Sequence, residues 1–197
     1  MRYGPILLLC LFFYANRAQA QETRTYQVSV AGISIGEMKA HKNHQGEETR
    51  YRIESEVSFW FFGRISVDYF INTRYKGEHL VHSESATSSN RGDFASSIVW
   101  QGDHYDITAT SYKYEKDTVI NHLMDFSSAK FYFEEPTEVN IFMAENFGMP
   151  SPVRKLKDYY EVNVNGNKNR FYYKNGKLDY AVMESPIKNY VIKYTGD

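Results

Sequence analysis

From residue 26 onward, apolar and polar residues alternate one by one. Tyr26, Val28 and Val30 alternate with Gln27 and Ser29. Tyr51, Ile53, Ser55, Val57 and Phe59 alternate with Arg52, Glu54, Glu56 and Ser58, and Ile65, Val67, Tyr69 and Ile71 continue the pattern. Period-2 alternation turns one face of a strand to a core and the other to water. Phe70 breaks it, which predicts cover on both faces of that strand. His79 to Ser88 is polar on both faces and predicts a strand near a sheet edge. Phe94 to Trp100 and Tyr105 to Thr110 flank Gln101-Gly102-Asp103-His104, a short hairpin connection. Asn175-Gly176 joins Arg170–Lys174 to Lys177–Val182 and suits a type I′ turn, and Asn165-Gly166 marks another turn after Tyr159 to Val164. The C-terminal part is thus a meander of three or four strands ending with Tyr190 to Tyr194. Between Pro136 and Gly148, Val139, Phe142 and Met143 share a helical face, which predicts one short helix. Strands rarely alternate with helical segments, which argues against βαβ units. The predicted fold class is all-β, a single curved antiparallel sheet or open β-barrel with one short helix.

The first 20 residues differ from the rest. Arg2 precedes the unbroken apolar run Ile6 to Phe13, and Ala18-Gln19-Ala20 supplies small residues at a cleavage site. This is the three-part pattern of a secretory signal, with cleavage predicted between Ala20 and Gln21. Residues 21–197 then form a single β-rich domain. Cys10, the one cysteine, follows Leu9 and lies inside the apolar run, so it reads as filler and not as a lipidation site. Removing Arg2 and Arg17 takes the 23 basic residues to 21 against 24 acidic ones, a net charge of −3. Nucleic-acid binders carry a basic excess, so that class is not predicted. No later segment is apolar enough to span a membrane as a helix. The 17 Tyr and 13 Phe add to the β bias.

Few motifs carry chemistry. Gly32-Ile33-Ser34-Ile35-Gly36 matches the nucleophile-elbow pattern, but no helix is predicted to follow it. It is read as a tight turn or bulge with Ile33 and Ile35 packing inward. Ser127–Lys130 and Ser185–Lys188 fit S-x-x-K without the partner motifs of penicillin-recognising enzymes. Among the six histidines, His41/His44 and His79/His82 are three apart, so each pair faces opposite sides of a strand. No metal site and no cofactor is predicted. Glu134 and Glu135 are adjacent and point apart in an extended chain. Phe59-Trp60-Phe61-Phe62, followed by Gly63, is the most suggestive run. Its four large apolar side chains are read as packed beneath a covering loop or helix, as an apolar lip on a ligand cavity or an envelope-contacting patch, or as a protein–protein contact.

In order along the chain stand Tyr26-Gln27-Val28, the segment Gly32 to Gly36, Tyr51-Arg52-Ile53-Glu54-Ser55, Phe133-Glu134-Glu135-Pro136 and Phe171 to Leu178. Through these segments the chain resembles a family of uncharacterised exported β-rich proteins from Gram-negative bacteria, a domain of unknown function. The resemblance implies a curved antiparallel sheet or open barrel, similar in outline to periplasmic carriers of lipid-modified proteins. It implies no activity and no catalytic residues.

Three functional expectations follow. The first is a non-enzymatic periplasmic or outer-membrane-associated protein that binds an apolar small molecule or an envelope protein, with Phe59, Trp60, Phe61 and Phe62 as ligand contacts. The second is an exported hydrolase of an envelope polymer or ester, using Ser34, His41 and Glu135. The third is a structural or assembly partner without a cavity. The pattern assigns no oligomeric state.

Overall fold

The structure is a computed structural model, and it describes residues 20–60, 63–90, 92–111, 114–185 and 188–197. The leader residues 1–19, including Cys10, and Phe61 and Phe62 lie outside the described residues. Fourteen antiparallel strands form one sheet. They are β1 (Ala20–Val30), β2 (Ile33–Gln45), β3 (Glu48–Trp60), β4 (Arg64–Lys76), β5 (His79–Ser89), β6 (Phe94–Trp100), β7 (Tyr105–Ser111) and β8 (Tyr114–Ile120), then β9 (Ile141–Ala144), β10 (Met149–Lys155), β11 (Tyr160–Val164), β12 (Asn167–Lys174), β13 (Lys177–Met183) and β14 (Tyr190–Gly196). The order runs β8 to β1, then β14 down to β9, so every sequential pair except β8/β9 is bonded and β1 pairs with β14. The C-terminal meander is β11 to β14.

The sheet is rolled, and its two edges overlap without pairing. The turn after β9 brings Gly148 against Ile107 of β7, where a Cβ would stand 2.4 Å from the Ile107 Cγ2. The exposed edge β8 carries Glu115, Lys116 and Asp117, charges that discourage pairing with a foreign strand. Inside the roll runs the segment 121–140, which bonds to distant parts of the sheet. Leu80 N–H donates to the Met124 carbonyl (2.8 Å), and Met143 N–H to that of Phe126 (2.9 Å). Its buried Met124, Phe126, Phe131, Tyr132 and Phe133 plug one end of the barrel.

Five barrel tyrosines fasten this plug. The Tyr26 and Tyr173 hydroxyls donate to the carbonyls of Tyr132 and Phe131, each at 2.7 Å. Tyr51 donates to Glu134 (2.6 Å) and Tyr160 to Glu135 (2.9 Å). Tyr105 donates to the Leu80 carbonyl and accepts from Met124 N–H. A buried Tyr contributes a large apolar body and a polar tip that must find a partner. That dual demand accounts for tyrosine where a plain barrel would place Phe or Leu.

Four expectations are corrected. The segment 136–148 holds no helix: it is a turn at Pro136, strand β9 and a 3-10 turn over Glu145–Phe147 that ends on Gly148 at φ +55°. Phe142 and Met143, predicted to share a helical face, are successive residues of β9 and both are buried, because an inner strand between plug and wall is covered on both sides. Strand β5 is not at an edge; its inward Ser83 and Ser85 are buried because they serve a polar network described below. Phe70 is not covered, being 40% exposed on the outer face. Ile33 does not pack inward: it sits on the last rung before the β1–β2 turn, beyond the wall, and is 70% exposed.

Three two-residue hairpins have positive φ at both central positions: Ala31-Gly32, Asn165-Gly166 and Asn175-Gly176. Alanine at φ +50° is strained by its Cβ, whereas asparagine tolerates this region. Ala31→Asn is expected to raise stability by about 0.5–1 kcal/mol, read as a higher urea midpoint; an unchanged or lower midpoint would show that the turn is not strained.

Candidate functional site

At the end opposite the plug the barrel holds a cavity of about 370 Å³. This falls within the range of small-molecule sites, roughly 300–1,000 Å³. Most of its wall is aliphatic or aromatic: Val28 and Val30 of β1, Val57 of β3, Val162 and Val164 of β11, and Ile192 of β14. Phe131 and Tyr132 of the plug form its floor. Phe131 stacks on Phe171 with centroids 4.4 Å apart and meets Phe142 edge-on at 4.9 Å, so the floor is fixed by aromatic packing. The mouth is polar, with Asn167, Asn169, Glu184 and Lys188.

The nucleophile-elbow match resolves into cavity architecture. Ala31-Gly32 is the hairpin turn, and the register shifts between Val28 and Ser29, leaving Ile35 as the extra residue of a bulge. That bulge aims Ile35 into the cavity lining. Gly36 lets β3 approach so closely that an added Cβ would be 2.2 Å from the Glu56 carbonyl oxygen.

Of the predicted ligand contacts, Phe59 lines the cavity, whereas Trp60, the next residue along the strand, is 78% exposed and is not part of the cavity lining. Ser34, His41 and Glu135 are not brought together. Ser34 and His41 are seven residues apart on one strand, about 23 Å at 3.3 Å per residue. His41 Nδ1 is 3.0 Å from Thr23 Oγ1, and Glu135 accepts from Tyr160 on the plugged side. Among the described residues no group of three or more His, Cys, Asp or Glu gathers as a metal site.

Two carboxylates are structural. Glu134 accepts from Tyr51 and from Lys42 Nζ (2.9 Å), with Lys130 Nζ 3.9 Å away. Burial works to raise its pKa, but the Tyr51 and Lys42 hydrogen bonds and the Lys130 charge outweigh this, and the net shift is downward. Glu145 is fully buried and sequence reasoning missed it, since a lone Glu among apolar residues carries no signal of its own. Its carboxylate accepts from Ser128 N–H (2.6 Å), Ala129 N–H (3.4 Å) and Thr73 Oγ1 (3.1 Å). Thr73 meets Ser83 at 2.9 Å, Ser85 meets Ser96 at 2.9 Å, and Ser96 donates to the Glu145 carbonyl. This network explains the polar inner face of β5. Burial raises the Glu145 pKa, opposed in part by its hydrogen bonds.

No curated protein matches the sequence. A crystal structure of a β-barrel-like protein of another domain of unknown function, DUF1849, from Brucella abortus, is similar in fold, with 11% identity and a TM-score of 0.55 over 90% of this chain and 96% of that one. A family model described as a domain of unknown function, DUF6134, matches residues 26–195, which spans β1 to β14 and includes both the plug and the cavity wall; the chain therefore belongs to the DUF6134 family.

Proposed function

We infer that this chain is a non-enzymatic binding protein that holds an apolar molecule in the open end of its barrel. The carrying observation is the cavity of about 370 Å³, apolar in its walls and floor and polar at its mouth. Burying a ligand's apolar surface there is the main available driving force, about 25 cal/mol per Å². The signal-like residues 1–20 support placement outside the cytoplasm, in the periplasm or at the outer membrane of a Gram-negative cell. Phe59 on the cavity wall supports the reading, and Trp60, Phe61 and Phe62 continue that apolar run in sequence.

Native mass spectrometry of the protein purified gently from its own cells tests the reading. The expected spectrum has an added mass that disappears in organic solvent; a clean apo mass overturns the reading. Trp60→Ala is expected to weaken uptake of a neutral fluorescent probe, N-phenyl-1-naphthylamine, several-fold while leaving the melting temperature unchanged, because Trp60 buries little of itself. Unchanged uptake by the folded variant would remove Trp60 from the site.

A further inference from the structure

We propose that the cavity selects a neutral amphiphile, whose hydroxyl or amide group is bound inside the barrel by Asn146 and Tyr69. This deepens the cavity-binding reading and rests on it. The cavity lining is not uniform. The side built from β1, β11 and β14 is aliphatic, whereas β3, β4, β5 and the 3-10 turn present Ser55, Tyr69, Thr87 and Asn146, and the plug adds Ser128. That side also carries Val57, Phe59, Ile65 and Val67, but an alkane-like ligand leaves its polar groups unmet.

Asn146 sharpens the argument. Its Oδ1 is buried and has no hydrogen-bond partner. A buried amide oxygen left unpaired is costly, and such groups in folded proteins usually have a partner. Asn146 is also held in place. It follows Glu145, which is fixed by Thr73, Ser128 and Ala129. The amide lies beside the Tyr69 hydroxyl, whose pKa burial pushes well above the ordinary value of 10.0, so the phenol stays neutral and both donates and accepts. A hydroxyl or amide group supplies the donor that Asn146 Oδ1 lacks and exchanges hydrogen bonds with Tyr69.

An ionised carboxylate does neither as well. It has no proton to give Asn146 Oδ1. Among the described lining residues the one cation is Lys188, at the mouth and not on the inner polar side. A fatty acid anion would have to leave its head at the rim, with the polar wall unmet. The ligand class is therefore a single-chain amphiphile with a hydroxyl- or amide-bearing head, such as a monoacylglycerol.

The experiment displaces N-phenyl-1-naphthylamine from the purified protein with monomyristoylglycerol or with myristate at pH 8. In the wild type the glycerol ester is expected to displace the dye at concentrations at least tenfold lower than the anion. Asn146→Leu is expected to remove that preference while dye binding persists, and Tyr69→Phe to reduce it several-fold. Melting curves on both variants establish that each is folded, and either one suffices for the comparison. Equal displacement by ester and anion in the wild type, or an unchanged preference in the folded variants, overturns the proposal. If the wild type binds neither the dye nor either amphiphile, the cavity-binding reading itself fails.

Discussion

Gly36→Ala is expected to cost about 3 kcal/mol or more of stability. Gly36 is paired on both sides, with Val28 of β1 and Val57 of β3. A Cβ there would stand 2.2 Å from the Glu56 carbonyl oxygen and 2.9 Å from the Val57 Cα. Both are backbone atoms of a paired strand, so neither can rotate away. Relief requires β2 and β3 to separate locally, which breaks the ladder and shifts the bulge that aims Ile35 inward. For a chain of this size the loss corresponds to a fall in melting temperature of about 10 °C. Gly196→Ala is the control: its Cβ meets nothing within 4 Å, and the change should stay within about 0.5 kcal/mol. If the two variants unfold at the same urea concentration, the close approach at Gly36 is not a constraint.

The second large effect belongs to Glu145. Glu145→Leu strips the partner from Ser128 N–H, Ala129 N–H and Thr73 Oγ1, all inside the barrel. Donors left buried and unpaired make this a loss of about 3–5 kcal/mol. Because a loss of that size threatens folding itself, the pH behaviour of Glu145→Gln is the more discriminating measurement. Burial raises the Glu145 pKa, so the folded chain holds this proton more tightly than the unfolded one. The group's stabilisation is therefore full below its unfolded pKa and declines as pH rises through the raised native value. Glutamine carries no such proton, so the stability gap between wild type and Glu145→Gln should change in favour of the variant as pH rises above the unfolded carboxyl value. Glu134 acts in the opposite sense. Its lowered pKa gives stability that is present above the unfolded value and lost on acidification. Both variant and wild type keep that acid limb, so it cancels in the comparison. Parallel urea midpoints across that rise in pH would mean that Glu145 does not titrate differently in the two states.

Much of the barrel was readable because its wall is half-wet. Alternation at Tyr51–Phe59 and Ile65–Ile71 marked β3 and β4, and two Asn-Gly pairs marked C-terminal turns, since each signal is local. The β1–β2 turn carried the same geometry with Ala31 in place of Asn, and it was read only as a turn or bulge near Gly32. The helix predicted over 136–148 failed for a different reason. A strand covered on both sides shows no alternation, and Val139, Phe142 and Met143 happen to fall at helical spacing. Strand β5 misled in the reverse direction: Ser83 and Ser85 looked solvated because nothing in the sequence reveals a buried acceptor 60 residues further along. Of the cavity wall, the aromatic run pointed to Phe59 alone, whereas Asn146 owes its meaning to a plug that folds back through the barrel. Glu135 was weighed as a catalytic group for its acidity, and its partner Tyr160 makes it a fastening for that plug.

The pairing of β1 with β14 has a consequence for the order in which this chain assembles. The first strand made lies mid-sheet beside the last, with Tyr26 opposite Tyr194. Until the final residues are available, β1 and β13 are raw edges, and the chain is two half-sheets, β1–β8 and β9–β13, joined only by residues 121–140. Each half can form from neighbouring hairpins, which are fast, but the weld between them needs contacts across nearly the whole sequence, which are slow. Exposed edges during that wait are the usual starting points for wrong partnerships between chains. The last seven-residue strand therefore acts as a fastener that commits the whole molecule at once, and a chain cut short before Tyr190 should accumulate as aggregated halves instead of a slightly smaller barrel.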